Sequence, residues 1–288
     1  MRLCLCLLTF ALLGPISPAH AQVSGLERVY GERVAMRALD QRCNFFQNGP
    51  RRALGGFTAQ ARGAALRAGS SAQDLSLIAQ QARAAMAQKS CSDPAIRAEA
   101  DRVIAAHKGW RAQMRAEYKG QVRVWHVDRT GLDAWRAWQD LGKGVRAGFV
   151  LQDGQLAFAV EVPDESAASA RLYLRDPSKL RPPPAGQSLQ PPLRIGTITH
   201  VAANKRPADT RTRIGTPARA GTMLIFSNTT TRATLNGDPR DSFEVEITSR
   251  SGQATHAIVE IGDIVAAYAF AADTLPQRHR LFLWPKLS

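Results

Sequence analysis

The sequence predicts an α+β protein: an N-terminal helical domain of about four helices, followed by an antiparallel β-rich domain that is a sandwich or partly open barrel. Two observations carry this. Apolar residues recur every three to four positions up to about residue 118 and every second position after Lys119-Gly120. The later segments are short and separated by turn residues, which suits antiparallel pairing. Hydrophobic residues make up 44% and charged residues 22%, the balance of a globular chain.

The first residues read as an export signal. Met1-Arg2 is a short positive start, and Leu3–Leu13 is apolar apart from Thr9. Gly14, Pro15 and Pro18 precede Ala19-His20-Ala21, the small-x-small pattern of a signal-peptidase site, so cleavage is expected after Ala21. An apolar core of 11 residues is short of the roughly 20 that span a bilayer. The expected organisation is signal peptide 1–21, helical domain 22–120 and β-rich domain 121–288, with no transmembrane segment in the mature chain and a bacterial periplasmic or secreted location.

Cleavage leaves two cysteines, Cys43 and Cys91. In an oxidising compartment an even pair is most simply a disulfide, the alternative being two separate buried thiols.

In the helical part, Met36, Leu39, Cys43 and Phe46 form one stripe, and Leu54, Phe57 and Ala61 another. Ser70 or Ser71 caps a third helix with Leu75, Ile78, Ala82 and Met86 inward. Asp93-Pro94, a cap followed by proline at the first helical position, starts a fourth helix. Its stripe of Ile96, Ala100, Val103, His107, Trp110 and Met114 runs to about Tyr118. Strands are expected at 121–127, 146–151, 156–162, 170–175, 193–201, 223–226, 243–248 and 257–261. Asp153-Gly154 marks a hairpin, and Leu132–Leu141, with Trp135 and Trp138, reads as a helical interlude. Ala147-Gly148 with Phe158–Val162 is echoed by Ala220-Gly221 with Phe243–Ile247, and a duplicated strand pair would suit a sandwich.

One ordered segment resembles a known family. Gly221-Thr222-Met223-Leu224-Ile225, a helix-like Thr229–Leu235, then Phe243–Ile247, Ala257–Ile261, Gly262 and the apolar Ile264–Ala272 follow an order similar to the end of the invasion-associated locus B family. The resemblance covers about fifty residues and implies an exported β-domain without assigning a catalytic residue. The paired cysteines associated with that family before this segment are absent here.

Catalytic motifs do not appear. There is no G-x-S-x-G, S-x-x-K, H-E-x-x-H, P-loop or G-x-G-x-x-G pattern. Of the mature chain's histidines (His107, His126, His200, His256 and His279), His107 reads as a packed core residue. His126 and Asp128 share one strand face, where His200 could join them as metal ligands, but strands bring such triads together by chance. Glu161 and Glu246 hold equivalent places in the two similar strands and could act as paired carboxylates, against a simpler reading as solvent-facing charges. No cofactor and no metal are expected.

Charge is more informative. The net charge is +14, and residues 194–219 set Arg194, Lys205, Arg206, Arg211, Arg213 and Arg219 against Asp209 alone. This basic loop favours an anionic partner, with Lys205, Arg206, Arg211, Arg213 and Arg219 as the anion-binding residues. Nucleic acid is not the expected partner, since export removes the chain from it and the loop has no aromatic stacking platform. The expectation is a non-catalytic envelope protein that binds an anionic envelope component or another envelope protein. A hydrolase of envelope polymers and an envelope scaffold are the alternatives.

Overall fold

The computed structural model describes residues 18–128, 137–152, 155–163, 166–186, 189–208 and 221–273. Four helices come first: α1 (Pro18–Cys43), α2 (Asn48–Ala68), α3 (Ala72–Ala87) and α4 (Pro94–Ala112). Their starts follow the capping chemistry. The Ser71 hydroxyl accepts from the Asp74 amide at 3.0 Å, and the Asp93 carboxylate accepts from Ala95 at 2.8 Å, with Pro94 next in line. Two apolar clusters hold the helices together. One joins Tyr30, Val34, Leu66 and Leu75, the other Met36, Leu39, Phe46, Leu54 and Ala100. Cys43, at the end of α1, meets Cys91 in the turn before α4 at disulfide distance, with Cα atoms 5.6 Å apart.

The strands form two antiparallel sheets. Strands β1 (Arg115–Lys119), β2 (Val124–Asp128), β3 (Ala137–Gly142), β4 (Val145–Gln152), β5 (Gln155–Val162), β8 (Asn204–Pro207) and β9 (Thr222–Ile225) make a seven-stranded sheet in the order β1-β2-β3-β4-β5-β9-β8. Strands β6 (Ala167–Arg175), β7 (Thr197–Val201), β10 (Ser242–Ser249) and β11 (Ala254–Glu260) make a four-stranded sheet in the order β11-β10-β6-β7. Phe158 of the larger sheet meets Phe243 of the smaller, ring centroids 5.6 Å apart, across the main core.

Two short helices follow, α5 (Asn228–Leu235) and α6 (Ile264–Ala272). α6 is buried on nearly every side, as a helix of this composition must be. Its Tyr268 ring packs on Phe149 of β4 at 5.0 Å, while Phe270 packs on Trp110 of α4 at 5.1 Å. α6 therefore lies between the larger sheet and helices α2 and α4, and Ala53 and Trp110 belong to the same core as the strands. Arg67 of α2 clamps Asp263, the residue preceding α6, at 2.7 Å. Burial pushes the Asp263 carboxyl up, and the Arg67 charge opposes that.

Several sequence expectations need correction. α4 stops at Ala112, not near Tyr118, and Met114 is exposed. The chain turns into β1, whose pairing with β2 satisfies the backbone that a longer helix would have used. Tyr118 instead points back into the core and accepts a hydrogen bond from Trp110 Nε1 at 2.9 Å. The helical interlude is a strand where it is described. Trp138 lies on β3 opposite His126 and Gly148, with Ala137 and Gln139 buried on the alternate face; Trp135 lies outside the described residues. Residue 120 falls in the β1–β2 turn, and β2 begins at Val124. The echoed strand pairs are not equivalent, because β4 pairs with β5 in one sheet whereas β9 and β10 lie in different sheets.

Candidate functional site

Strands β7 and β8 are consecutive and lie at the edges of the two sheets, so residues 197–207 cross from one sheet to the other along a single rim. The first half of the expected basic loop 194–219 is thus regular structure: a 3-10 turn (Arg194–Gly196), β7 and β8. Arg211, Arg213 and Arg219 lie outside the described residues. Lys205 is exposed on β8 and donates to the Ala167 carbonyl. Arg206 is half-buried, with Nη2 3.6 Å from Met223 Sδ.

Arg194 does not belong with them. Its guanidinium bridges Glu244 Oε1 and Glu246 Oε2, both at 2.9 Å, and lies over the Tyr173 ring with 3.9 Å to the centroid. These hydrogen bonds, to Glu244 first, hold its pKa above the usual arginine value. Arg171 adds a contact to Glu246 Oε1 at 2.9 Å, and Tyr173 donates to Oε2 at 3.1 Å. Burial alone would raise the Glu246 carboxyl, but hydrogen bonds from Arg194, Arg171 and Tyr173 and the Arg194 charge take it below the ordinary glutamate range. A carboxylate so committed is a poor proton donor. The network ties the 3-10 turn that leads into β7 to the outer face of the smaller sheet.

The other arginines near this sheet are held as firmly. Arg175 forks onto Asp241, and Arg240 onto Asp238 at 2.8 Å. The segment that follows β6 has its own pair, Lys179 with Asp176 at 3.4 Å. With Arg194 neutralised by Glu244 and Glu246, the surplus attributed to 194–219 narrows to residues 205–219, where five cations less Asp209 leave +4.

The remaining candidates are not brought together. Glu161 is fully buried on the outer face of the larger sheet, in register with Arg146 and Met223. Glu246 is on the outer face of the smaller sheet, so the main core separates the two carboxylates. They cannot flank one glycosidic bond. His126 lies 3.3 Å from Glu117, and Asp128 lies 3.0 Å from Arg115. His200 sits in the other sheet, 3.3 Å from Thr230 Oγ1, its pKa lowered by burial. Among the described residues no group of three His, Cys, Asp or Glu could hold a metal ion. His107 is buried against Trp110 at 5.7 Å, as expected of a core histidine, and His279 lies outside the described residues.

Sequence reasoning missed the Glu244–Arg194–Glu246 bridge. Its only local sign is the alternation of Glu244 and Glu246 along one strand face. Comparison of the chain with family models, curated proteins and solved structures finds no match. No helix among the described residues is long and apolar enough to cross a membrane.

Proposed function

We propose that this is an exported, non-catalytic cell-envelope protein that binds an anionic surface through residues 205–219. One observation carries the reading: Arg171, Arg175, Arg194 and Arg240 at the smaller sheet are matched by carboxylates, whereas the sequence from 205 to 219 sets five cations against Asp209 alone. Cations at the rim of a rigid double sheet can approach a plane of phosphates without disturbing the fold. The export signal at residues 1–21 and a disulfide between Cys43 and Cys91 agree with a periplasmic or secreted location, and the resemblance to the invasion-associated locus B family implies the same compartment.

The test uses residues 22–288 with vesicles of phosphatidylglycerol or phosphatidylcholine at low and high salt. Each cation near an anionic lipid surface contributes about 1 kcal/mol. Changing Arg206, Arg211 and Arg213 together to Gln is therefore expected to weaken binding to the anionic vesicles roughly 100-fold. Wild-type binding should also fall steeply with salt. Equal, salt-insensitive binding by both proteins would overturn the reading.

A further inference from the structure

A hollow lies on the outer face of the larger sheet, at the end away from β8. Side-chain alternation along the strands builds it. Ala116, Val127, Ala137 and Ala147 face the main core. Their neighbours Arg115, Glu117, His126, Asp128, Trp138 and Arg146 therefore face outward, and they line a space of about 230 Å³. Glu117, His126 and Trp138 stand side by side across β1, β2 and β3, and Arg115 stands beside Asp128. The His126 ring lies 5.9 Å from the Trp138 ring, and the Arg146 guanidinium lies over the indole with 5.9 Å to its centroid. Glu117 Oε1 is 3.3 Å from His126 Nδ1, and Arg115 Nε is 3.0 Å from Asp128 Oδ1. The side chains of Arg115, Glu117 and His126 are open to solvent, at 66%, 63% and 42% exposure.

We infer that this hollow binds a neutral pyranose ring of a glycan. The inference goes beyond the anionic-surface reading and uses the opposite end of the sheet from Lys205 and Arg206. Charge argues against an ion as the occupant. Arg115 and Arg146 stand against Glu117 and Asp128, two of each sign. Arg115 is already paired with Asp128, and Arg146 stands in register with Glu161 besides lying over the indole. A bound ion would have to break such a pairing instead of meeting an unmatched charge. A wholly apolar ligand is disfavoured as well, since it would strip water from these walls and return no hydrogen bond. What the walls do offer is spare hydrogen-bonding capacity beside one aromatic ring. Among the described residues Arg115 engages only its Nε and Glu117 only its Oε1, which leaves the Nη groups to donate and Oε2 to accept. A pyranose carries hydroxyls that both donate and accept, set around a face of C–H groups that suits an indole. The space is smaller than a drug-sized pocket and fits a single ring.

The probes are two neutral trisaccharides, chitotriose and maltotriose, titrated into residues 22–288 by calorimetry and by saturation-transfer NMR. Saturable, millimolar binding of at least one of them is expected, with magnetisation passing to the C–H protons of a sugar ring. Because the ligand is uncharged, this binding should not weaken with salt. Trp138→Ala should weaken it at least tenfold. Trp138 also packs on Val150, Ala159 and Met223, so Glu117→Ala and Arg115→Gln, at exposed side chains, carry the test if that variant does not fold; each should weaken binding several-fold. All three variants should bind anionic vesicles as the wild type does, which separates this proposal from the preceding one. No saturable binding of either sugar up to its solubility, or unchanged binding in every folded variant, overturns the proposal. So does displacement of the sugar by inorganic phosphate or tetramethylammonium, because the occupant would then be an ion.

Discussion

Glu246 shows how a single residue turns a strand face into a fixed surface. Its two carboxylate oxygens receive Arg171, Arg194 and Tyr173, and Glu244 shares Arg194 while lying 2.5 Å from His256 Nδ1. Replacement by Gln leaves two guanidinium groups facing a neutral amide, so Glu246→Gln is expected to lower Tm at pH 7 by about 3 °C. The pH dependence has a definite sign. A carboxyl held below its unfolded value of about 4.3 stabilises the fold above that pH and ceases to do so as pH falls through the folded value. The gap between wild type and Glu246→Gln should therefore be full at pH 7 and close below about pH 4. Thermal melts across that range decide it, and a gap that stays constant down to pH 3 would show that the carboxylate charge is not what stabilises the site. Glu260 plays a comparable part elsewhere: its carboxylate accepts the successive amides of Gln121, Val122 and Arg123, the last at 2.7 Å. A Cβ at Gly120 would collide with that carboxylate and push it off the amides it accepts.

At the level of elements, the approach of α2 to α6 depends on Gly56. A Cβ built there lies 2.8 Å from Ala269 Cβ and 3.6 Å from the Ala266 Cα. Alanine normally stabilises a helix by up to about 1 kcal/mol over glycine, but overpacking costs about 1–3 kcal/mol. Gly56→Ala is expected to destabilise, whereas Gly109→Ala on α4, which meets nothing within 4 Å, should stabilise. Urea midpoints of the two variants measure this, and a shift in the same direction for both would contradict the packing argument. The elements legible in the sequence were those with local chemistry. Ser71 and Asp93-Pro94 announce α3 and α4, and the alternation of Ala170, Leu172 and Leu174 announces β6. β1 and β8 were missed because they are short edge strands whose pairing partners alone make them strands. Trp138 misled because two tryptophans three apart imitate a helix face, while β3 is defined by its register with β2 and β4. The site divides in the same way. The charge of Lys205 and Arg206 can be read from composition. The neutralisation of Arg194 depends on carboxylates about fifty positions further along, and the place of β7 at the end of the described strands depends on sheet order.

For the whole molecule, the decisive question is whether the helices and the sheets unfold together. The pair Cys43 and Cys91 closes a loop of 48 positions, and a bridge over that length stabilises by about 4 kcal/mol in the chain-entropy model. Arg42 reinforces the same junction by donating to the carbonyls of Ala87, at 2.7 Å, and Lys89. That contact joins α1 to the α3–α4 turn without involving the thiols. The helices are also tied to the strands by Arg67 on Asp263, by Gly56 on α6 and by the edge-on contact of Trp110 with Phe270. Reduction, or the double change Cys43→Ser and Cys91→Ser, is therefore expected to lower Tm by roughly 10 °C while leaving one transition. In calorimetry the measured and van't Hoff enthalpies should agree in both forms. Two resolved transitions after reduction would mean that α6 does not couple the halves and that the helical part folds as its own unit, held to the sheets mainly by proximity. A single transition would assign α6 the role its position suggests, a shared core element through which the sheets draw their rigidity from the helices.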